Sequence, residues 1–321
     1  MSTDDPPRPP ATDRDRAASA RTDVSFRSAG LRCDGWFYRP AGPGPHPCVV
    51  MAHGFGGIRA ARLDAFAERF RQAGLAALVF DYRHQGTSEG RPRGLIDIAK
   101  QREDYRAAIA YVRGLAGINP HKIAVWGTSF SGGHVLSVAA DDHHIAAAVL
   151  TNPYVDGPAG IAKTRRVTRL GVRLALARAA VLDELRRVRG REPLRVAIAG
   201  PPGSVAIFTT PDAAPGFESI LPADRSRWGW EPAVPARILL RIATDRPARR
   251  LRDIGRPLLV SVCDRDQIAP VRPAVRVSRT ARYGELNRYP FHHFDVFTGP
   301  GFERVVRDQT AFLRRTLLEA S

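Results

Sequence analysis

The chain has 321 residues, of which 44% are hydrophobic and 25% are charged. This composition excludes a disordered chain and fits one large α/β domain, or such a domain with an insertion. The longest apolar runs, at 47–52 and 145–150, are far shorter than the roughly 20 residues that cross a bilayer. We therefore expect no membrane span.

The formal net charge is +17, which raises the question of a nucleic-acid partner. Only three of the 49 basic residues are lysine, and the arginines are spread along most of the chain. Such a pattern indicates compositional bias rather than a binding stripe, so we expect no nucleic-acid function.

The N-terminus and the cysteines bear on the protein's compartment. The first 22 residues are rich in Pro, Asp, Arg and Ala and match neither a secretory signal nor a folded segment. We predict a flexible tail at 1–22. Cys33, Cys48 and Cys263 are an odd number with wide spacing, which favours free thiols in a reducing compartment. We therefore expect a cytoplasmic protein.

Strand and helix patterns alternate along most of the chain. After a hairpin around Gly30 at 24–39, we predict strands at 48–52, 76–80, 123–126, 145–150, 258–263 and 286–289, and helices at 60–73, 97–115, 271–281 and 302–318, with a further helix opening near Ser129. This alternation predicts a doubly wound, mostly parallel sheet with helices on both faces.

The segment between 152 and 252 breaks the alternation and is too long for a loop. We predict an inserted cap at 153–252, between two core segments at 23–152 and 253–321. Apolar residues recur there at helical spacing: Val167, Leu170, Leu174, Ala177, Val181, Leu185 and Val188. We favour a helix or helix pair that packs this stripe on the core, the alternative being a basic amphipathic helix on an anionic membrane. The runs at 194–199 and 205–209 predict a small hairpin.

The run Gly127-Thr128-Ser129-Phe130-Ser131-Gly132-Gly133 follows a predicted strand and opens a predicted helix. This context is typical of a nucleophile elbow, in which a sharp turn lifts a serine Oγ toward a base. Ser129 is therefore the predicted nucleophile. Ser131 stands where the usual motif has its second glycine.

The run His53-Gly54-Phe55-Gly56-Gly57 ends an earlier predicted strand and faces the same sheet edge. We predict that the backbone N–H groups of Phe55 and Phe130 form an oxyanion hole, with His53 bracing the loop. Gly-x-Gly-x-x-Gly spacing, a Walker lysine and metal-ligand spacings are absent from the sequence. We expect no cofactor and no metal.

The order and spacing of these motifs resemble the α/β-hydrolase superfamily over 24–153 and 255–319. The run 80–90, Phe-Asp-Tyr-Arg-His-Gln-Gly-Thr-Ser-Glu-Gly, is similar to a segment of bacterial esterases and peptidases akin to dienelactone hydrolase and the X-prolyl peptidases. The resemblance implies the α/β-hydrolase fold and a triad in the order serine, acid, histidine.

That order leaves two candidates for the acid and two for the histidine. The resemblance favours Asp266 over Asp264, because the family's acid shortly precedes an apolar residue and Pro. It favours His293 over His292, which then fills a small-residue position. His84, near the expected mouth of the site, is a candidate for substrate contact.

Acyl transfer to water through an acyl-enzyme on Ser129 is the predicted reaction, with a small-molecule carboxylic ester or related acyl compound as substrate. Amide, lactone, thioester and carbon–carbon bond hydrolysis use the same machinery. The alternatives are an acyl-CoA thioesterase, a C–C bond hydrolase and a catalytically silent ligand-binding protein on the same fold. The sequence indicates no oligomeric state.

Overall fold

The computed structural model describes residues 21–319, and its centre is an eight-stranded sheet. The strands along the chain are β1 (Arg21–Ser28), β2 (Leu31–Tyr38), β3 (His46–Ala52), β4 (Ala76–Phe80), β5 (Ile118–Thr128), β6 (Ile145–Thr151), β7 (Arg195–Ala199), β8 (Ala206–Phe208), β9 (Ala233–Pro235), β10 (Leu258–Cys263) and β11 (Gly284–Tyr289). The large sheet has the order β1-β2-β4-β3-β5-β6-β10-β11. Its pairs are parallel except β1 with β2 and β2 with β4.

Helices cover both faces of this sheet. The helices of the described residues are α1 (Leu63–Gln72), α2 (Ile98–Arg113), α3 (Phe130–Asp141), α4 (Gly157–Val167), α5 (Leu170–Val188), α6 (Ala213–Ile220), α7 (Ile238–Ile242), α8 (Val271–Thr280) and α9 (Gly299–Leu317), with 3-10 turns at Pro247–Asp253 and Asp295–Phe297. α1 and α9 pack on one face, and α2, α3 and α8 on the other. The predicted doubly wound, mostly parallel sheet is confirmed.

Strand β3 illustrates why the sheet forms. All seven of its residues are buried. Val49 and Met51 belong to the core under α1 and α9, whereas Val50 and Ala52 belong to the core under α2 and α3. A strand covered on both faces needs a continuous apolar run rather than an alternating one. Because β3, β5, β6 and β10 are parallel neighbours, the loops at their carboxyl ends meet at one edge of the sheet.

The N-terminal region and the insertion differ from the expectations in part. The predicted tail, 1–22, lies outside the described residues except for its last two positions, which belong to β1. The segment 153–252 carries α4 to α7 and a separate three-stranded sheet with the order β8-β7-β9. The predicted hairpin is wrong: β7 and β8 pair in parallel, and β9 is the antiparallel partner of β7. Pro201 and Pro202 lack N–H groups and have fixed φ angles, which do not suit a tight hairpin turn.

The prediction that the apolar stripe packs on the core is also wrong. The helical segment is a pair, α4 and α5, and the stripe residues Leu170, Leu174 and Val188 are 61%, 61% and 70% exposed. Helix α5 instead buries a face that includes Asp183, which is fully buried. Its carboxylate accepts hydrogen bonds from the backbone N–H groups of Leu194 (2.8 Å) and Arg237 (2.9 Å), and it forms an ion pair with the guanidinium of Arg237, whose Nε lies 2.9 Å away. A hydrophobic pattern counts only apolar residues, so it does not predict the burial of a carboxylate whose hydrogen-bond partners lie elsewhere in the chain.

Within 21–319, no helix is both long enough and apolar enough to cross a membrane. Cys33, Cys48 and Cys263 are free thiols, as predicted, and all three are buried.

Candidate active site

Ser129 lies at a strained turn between β5 and α3. Its φ of 53° and ψ of −119° fall outside the regions that non-glycine residues ordinarily occupy. Three backbone hydrogen bonds hold the turn: Ser129 donates to the carbonyl of Thr151 (2.8 Å), and its own carbonyl accepts from Gly132 (3.0 Å) and Tyr154 (2.8 Å). This is the geometry of a nucleophile elbow, in which the serine side chain projects from the sheet edge.

The small residues around the turn are required by close packing. A Cβ on Gly127 would lie 2.6 Å from the carbonyl oxygen of Ser131. Ser131, which departs from the usual motif, is fully buried, and its Oγ is 2.7 Å from the hydroxyl of Tyr82. The serine therefore fits because the segment that follows β4 provides a hydrogen-bond partner for it.

Asp266 and His293 are brought together beside this turn. Nδ1 of His293 is 2.6 Å from one carboxylate oxygen of Asp266, and both side chains are buried. The other oxygen of Asp266 accepts from the N–H groups of Ile268 (2.7 Å) and Ala269 (2.8 Å). The carboxylate is thus fixed in orientation, and the ring of His293 is held by its Nδ1 with Nε2 left for other chemistry.

The neighbouring candidates occupy different surroundings. Asp264 is exposed and pairs with Arg288, 2.7 Å away. His292 donates its backbone N–H to Asp295 (2.8 Å) and lines a separate depression that does not include Ser129. Among the described residues, only Asp266 of the two acids contacts His293.

The glycine-rich loop after β3 lies against the elbow. A Cβ on Gly54 would be 3.0 Å from Cβ of Ser129, so the loop backbone approaches the serine as closely as glycine allows. The rings of Phe55 and Phe130 meet edge to face, 5.5 Å apart. Phe130 is the first residue of α3, where a backbone N–H has no partner within the helix. The two predicted oxyanion donors therefore belong to adjacent segments beside Ser129.

His53 packs between this loop and the segment that follows β4. It is buried, its Nδ1 is 3.0 Å from the carbonyl oxygen of Gly54, and its ring packs on Tyr82. Burial lowers the pKa of His53, with Asp81 opposing the shift. Asp81 also accepts from the backbone N–H of Arg59 (2.6 Å) and pairs with its guanidinium, which ties the loop to the segment after β4.

A small apolar cavity, about 40 Å³ in volume, opens beside Ser129 and His293. Most of its other lining residues are apolar, and three of them come from the insertion. The apolar lining consists of Phe55, Ala61, Leu63, Phe208, Phe217, Ile220, Ile268, Phe294 and Phe297. His84 is not among the lining residues: it is buried, and burial together with nearby Lys100, Arg83 and Arg93 lowers its pKa to about 4.

Two residues of the insertion form hydrogen bonds with the loops of the site, and sequence patterns did not reveal them. Nε1 of Trp230 donates to the carbonyl of Gly56 (2.9 Å) in the glycine-rich loop. Nζ of Lys163 donates to the carbonyls of Asp266 (2.7 Å) and Ala269 (2.8 Å) in the acid loop. Neither residue belongs to a recognisable motif. Their roles depend on contacts between segments more than 100 residues apart.

Asn152, at the end of β6, is a further residue that the sequence analysis missed. Its side chain donates to the carbonyl of His293 (3.0 Å) and accepts from the N–H of Cys263 (2.8 Å). It therefore joins the histidine loop to the strand that carries the acid. Its φ of 44° is unusual for a residue other than glycine, but this angle is a property of the structure. The sequence around Asn152 therefore carried no signal of its role.

No group of three or more His, Cys, Asp or Glu side chains within residues 21–319 is arranged to hold a metal ion. The chemistry that this site offers with its own residues is nucleophilic, through a serine beside a carboxylate-oriented histidine.

The fold and this constellation define an α/β hydrolase, and comparison with known proteins agrees. The family model for serine aminopeptidase S33 matches residues 43–198. The quorum-quenching protein AidA of Acinetobacter baumannii is 42% identical over 92% of this chain and 95% of its own length. The chain therefore belongs to the α/β-hydrolase superfamily and is a hydrolase.

Two further similarities are more distant. The thiohydrolase aneE of Aspergillus aculeatus is 34% identical over 44% of this chain and 45% of its own length. The crystal structure of the α/β hydrolase GrgF from Penicillium superimposes with a TM-score of 0.75 at 24% identity, covering 92% of this chain and 99% of that one. This likeness supports the fold. The narrower resemblance to dienelactone hydrolase and the X-prolyl peptidases stays a prediction.

Proposed function

We propose that the protein hydrolyses a carboxylic ester with an apolar acyl group through an acyl-enzyme on Ser129. The observation that supports this most is the pairing of His293 with Asp266 at 2.6 Å in the cavity wall beside the strained Ser129 turn. A carboxylate on Nδ1 keeps the proton there, so that Nε2 is free to accept the serine proton.

The reaction follows from these positions. Oγ of Ser129 attacks the acyl carbon while Nε2 of His293 takes its proton, and the oxyanion that forms accepts hydrogen bonds from the N–H groups of Phe55 and Phe130. Collapse of this intermediate expels the alcohol, which receives the proton from His293. Water, activated by the same nitrogen, then releases the acid from the serine and restores the enzyme.

The lining of the cavity supports an apolar acyl group. Phe208, Phe217 and Ile220 from the insertion face the serine together with aromatic residues of the core. The volume of about 40 Å³ is well below the roughly 300–1,000 Å³ of typical small-molecule sites. We therefore assign the segment 153–252 the role of a cap that moves aside to admit substrate and selects the acyl chain.

An acyl thioester is the second candidate substrate, which the similarity to a thiohydrolase favours. The name of the quorum-quenching relative does not specify which bond that protein cleaves. A lactone, as a cyclic ester, would use the same steps. The leaving group distinguishes these substrates, because the attack on the acyl carbon is common to all of them.

Labelling with a fluorophosphonate tests the nucleophile. We expect one adduct on the intact protein, absent in Ser129→Ala and retained in Ser131→Ala, a buried serine two positions away. Labelling of folded Ser129→Ala would contradict the assignment. Absence of both labelling and turnover in the wild type would favour the silent binding protein.

A panel of matched oxygen esters, thioesters and lactones with increasing acyl length tests the substrate class. In Ile220→Ala, which enlarges the cavity, the ratio of kcat/KM for long over short acyl chains should rise. Leu240→Ala is the matched control, because Leu240 belongs to the same insertion but is 38% exposed and does not line the cavity. An equal change in both variants would contradict selection by this cavity.

A further inference from the structure

A second and much larger depression lies apart from the cavity at Ser129. It is a groove of about 840 Å³ between α4, the turn Pro247–Asp253 and α8. Much of its surface is apolar, including Ala162, Leu251 and Val277. None of its lining residues lines the cavity at Ser129. The groove is therefore a separate site.

The groove is strongly cationic. Its lining includes seven basic side chains and one acidic side chain, Asp156. The basic residues are Lys163, Arg166, Arg246, Arg249, Arg252, Arg272 and Arg276. Arg246 lies 3.4 Å from Asp156, and Lys163 donates to backbone carbonyls of the acid loop. The other five arginines form no ion pair with any described residue.

Arginines on other surfaces of the protein are often paired, as in Arg69 with Glu303, Arg102 with Asp245 and Arg315 with Glu285. In the groove, by contrast, five arginines without an ion pair line one concavity together with a single acidic side chain, which concentrates positive charge there. Like charges gathered in this way repel one another, and an anion bound among them relieves that repulsion. The first turn of α8 also faces the groove through Val271, Arg272 and Pro273, which adds the positive end of a helix.

We propose that this groove binds a phosphorylated small molecule that has an apolar or planar body. The volume is within the range of single small ligands, which is roughly 300–1,000 Å³. Guanidinium groups match phosphate oxygens in geometry as well as charge, and the apolar floor suits a ring. An acidic protein would instead require a broad interface, of which a groove of this size is only a part.

Titration calorimetry with ADP as the probe tests the proposal, with adenosine and pyrophosphate as separate arms. We expect ADP to bind better than either fragment and to weaken as salt concentration rises. Arg252→Gln/Arg276→Gln should weaken ADP binding by at least about tenfold, since one lost charge-assisted hydrogen bond already corresponds to about that factor. Pyrophosphate binding as tight as ADP binding would overturn the role of the apolar floor.

The matched control is Arg178→Gln/Arg279→Gln, which removes the same charge from two exposed arginines outside the groove. It should change ADP affinity by less than about twofold. Equal weakening in both double variants would overturn the proposal, because the effect would then follow net charge alone. Failure of the wild type to bind ADP while it binds poly-glutamate would overturn it in favour of an acidic protein partner.

A different observation concerns the outer face of α4 and α5. Of the 12 large hydrophobic side chains that are exposed among the described residues, eight belong to this helix pair. They are Ile161, Val167, Leu170, Leu174, Val181, Leu182, Leu185 and Val188. An apolar stripe of this length is rare on a solvated surface and marks a docking face.

The charge around this face decides what docks there. The segment 165–191 carries nine arginines and two acidic residues, and one of the two acids, Asp183, is buried. A second copy of the chain would bring two such cationic faces together, which charge repulsion opposes. We infer that the outer face of α4 and α5 lies on an anionic membrane surface, with its apolar side chains at the lipid boundary and its arginines on the headgroups.

Co-sedimentation with vesicles tests this inference. The wild type should sediment with phosphatidylcholine vesicles that contain phosphatidylglycerol and remain in solution with phosphatidylcholine alone. Leu174→Gln/Val181→Gln should lower binding by more than about tenfold, because both substitutions replace an aliphatic side chain at the lipid boundary with a polar one. Val205→Gln/Leu240→Gln, two exposed residues of the same insertion, should bind as the wild type does. Equal binding of both variants, or a dimer in light scattering that only the first variant disrupts, would overturn the inference.

Discussion

Asp266→Asn is the substitution that tests the proposed mechanism most directly. One oxygen of Asp266 accepts from two backbone N–H groups, at 2.7 and 2.8 Å, and the other meets Nδ1 of His293 at 2.6 Å. An asparagine has one oxygen and one NH₂ group. The two backbone donors require the oxygen at the first position, so the NH₂ group must face Nδ1.

A donor opposite Nδ1 reverses the role of the imidazole. Nδ1 must then accept, which leaves the proton on Nε2, and a protonated Nε2 cannot take the proton of Ser129. We expect kcat to fall by about 10⁴, the loss seen when this tautomer is inverted in a serine protease, or about 5.5 kcal/mol of barrier. The fold should lose far less, because the backbone hydrogen bonds of the loop are retained.

The assay is kcat for p-nitrophenyl acetate, with thermal unfolding measured on the same preparations. Asp264→Asn is the matched control: it removes the same charge two residues away, from an exposed ion pair with Arg288, which is worth roughly 0–1 kcal/mol. Its kcat should be unchanged. If folded Asp266→Asn keeps kcat within about tenfold of the wild type, or if Asp264→Asn is the inactive variant, the tautomer argument is refuted.

In the histidine pair, His293→Ala should lower kcat by at least about 10³ and His292→Ala only slightly, and the reverse order in folded proteins would move the base to the neighbour. Trp230→Phe removes the hydrogen bond that holds the glycine-rich loop, so kcat should fall by about tenfold with KM little changed, whereas an equal fall in the control Trp228→Phe would point to general damage. The pKa of His84 is lowered to about 4 in the folded protein. As pH drops, its imidazole therefore becomes protonated in the unfolded chain before it does so in the folded protein. The free energy of unfolding should thus fall between about pH 6.5 and pH 4, by about 2 kcal/mol at pH 5. Denaturant titrations should show a weaker pH dependence in His84→Asn, and identical slopes in the two proteins would contradict the assignment.

Sequence patterns predicted the central sheet well because its determinants are local. Each parallel strand is buried on both faces and reads as a short apolar run, and β4, predicted at 76–80, begins and ends where expected. The elbow was equally readable, since a sharp turn between strand and helix requires small residues around Ser129 within a few positions. The order of these runs then predicts which strand ends share an edge.

The structure of the insertion was predicted less well, because the contacts that determine it join residues far apart in the chain. Helix α5 is apolar on two sides, so its period predicts a helix but not which side is buried. The buried side is set by Asp183 and its bonds to Leu194 and Arg237, which no window around the helix contains. Likewise, β7 and β8 look like a hairpin locally, although tertiary contacts pair them in parallel.

The sequence by itself determined the fold class, a doubly wound sheet, and predicted a nucleophile elbow at Ser129 with a choice of two acids and two histidines. Only the tertiary structure brought Asp266 rather than Asp264 to His293 and set Trp230 and Lys163 of the insertion against the loops of the site. The physical reason is range. The apolar runs that become buried strands and the small residues that permit a sharp turn are features of neighbouring positions in the chain. The direction of a side chain in a loop depends instead on the segments that the fold packs against it.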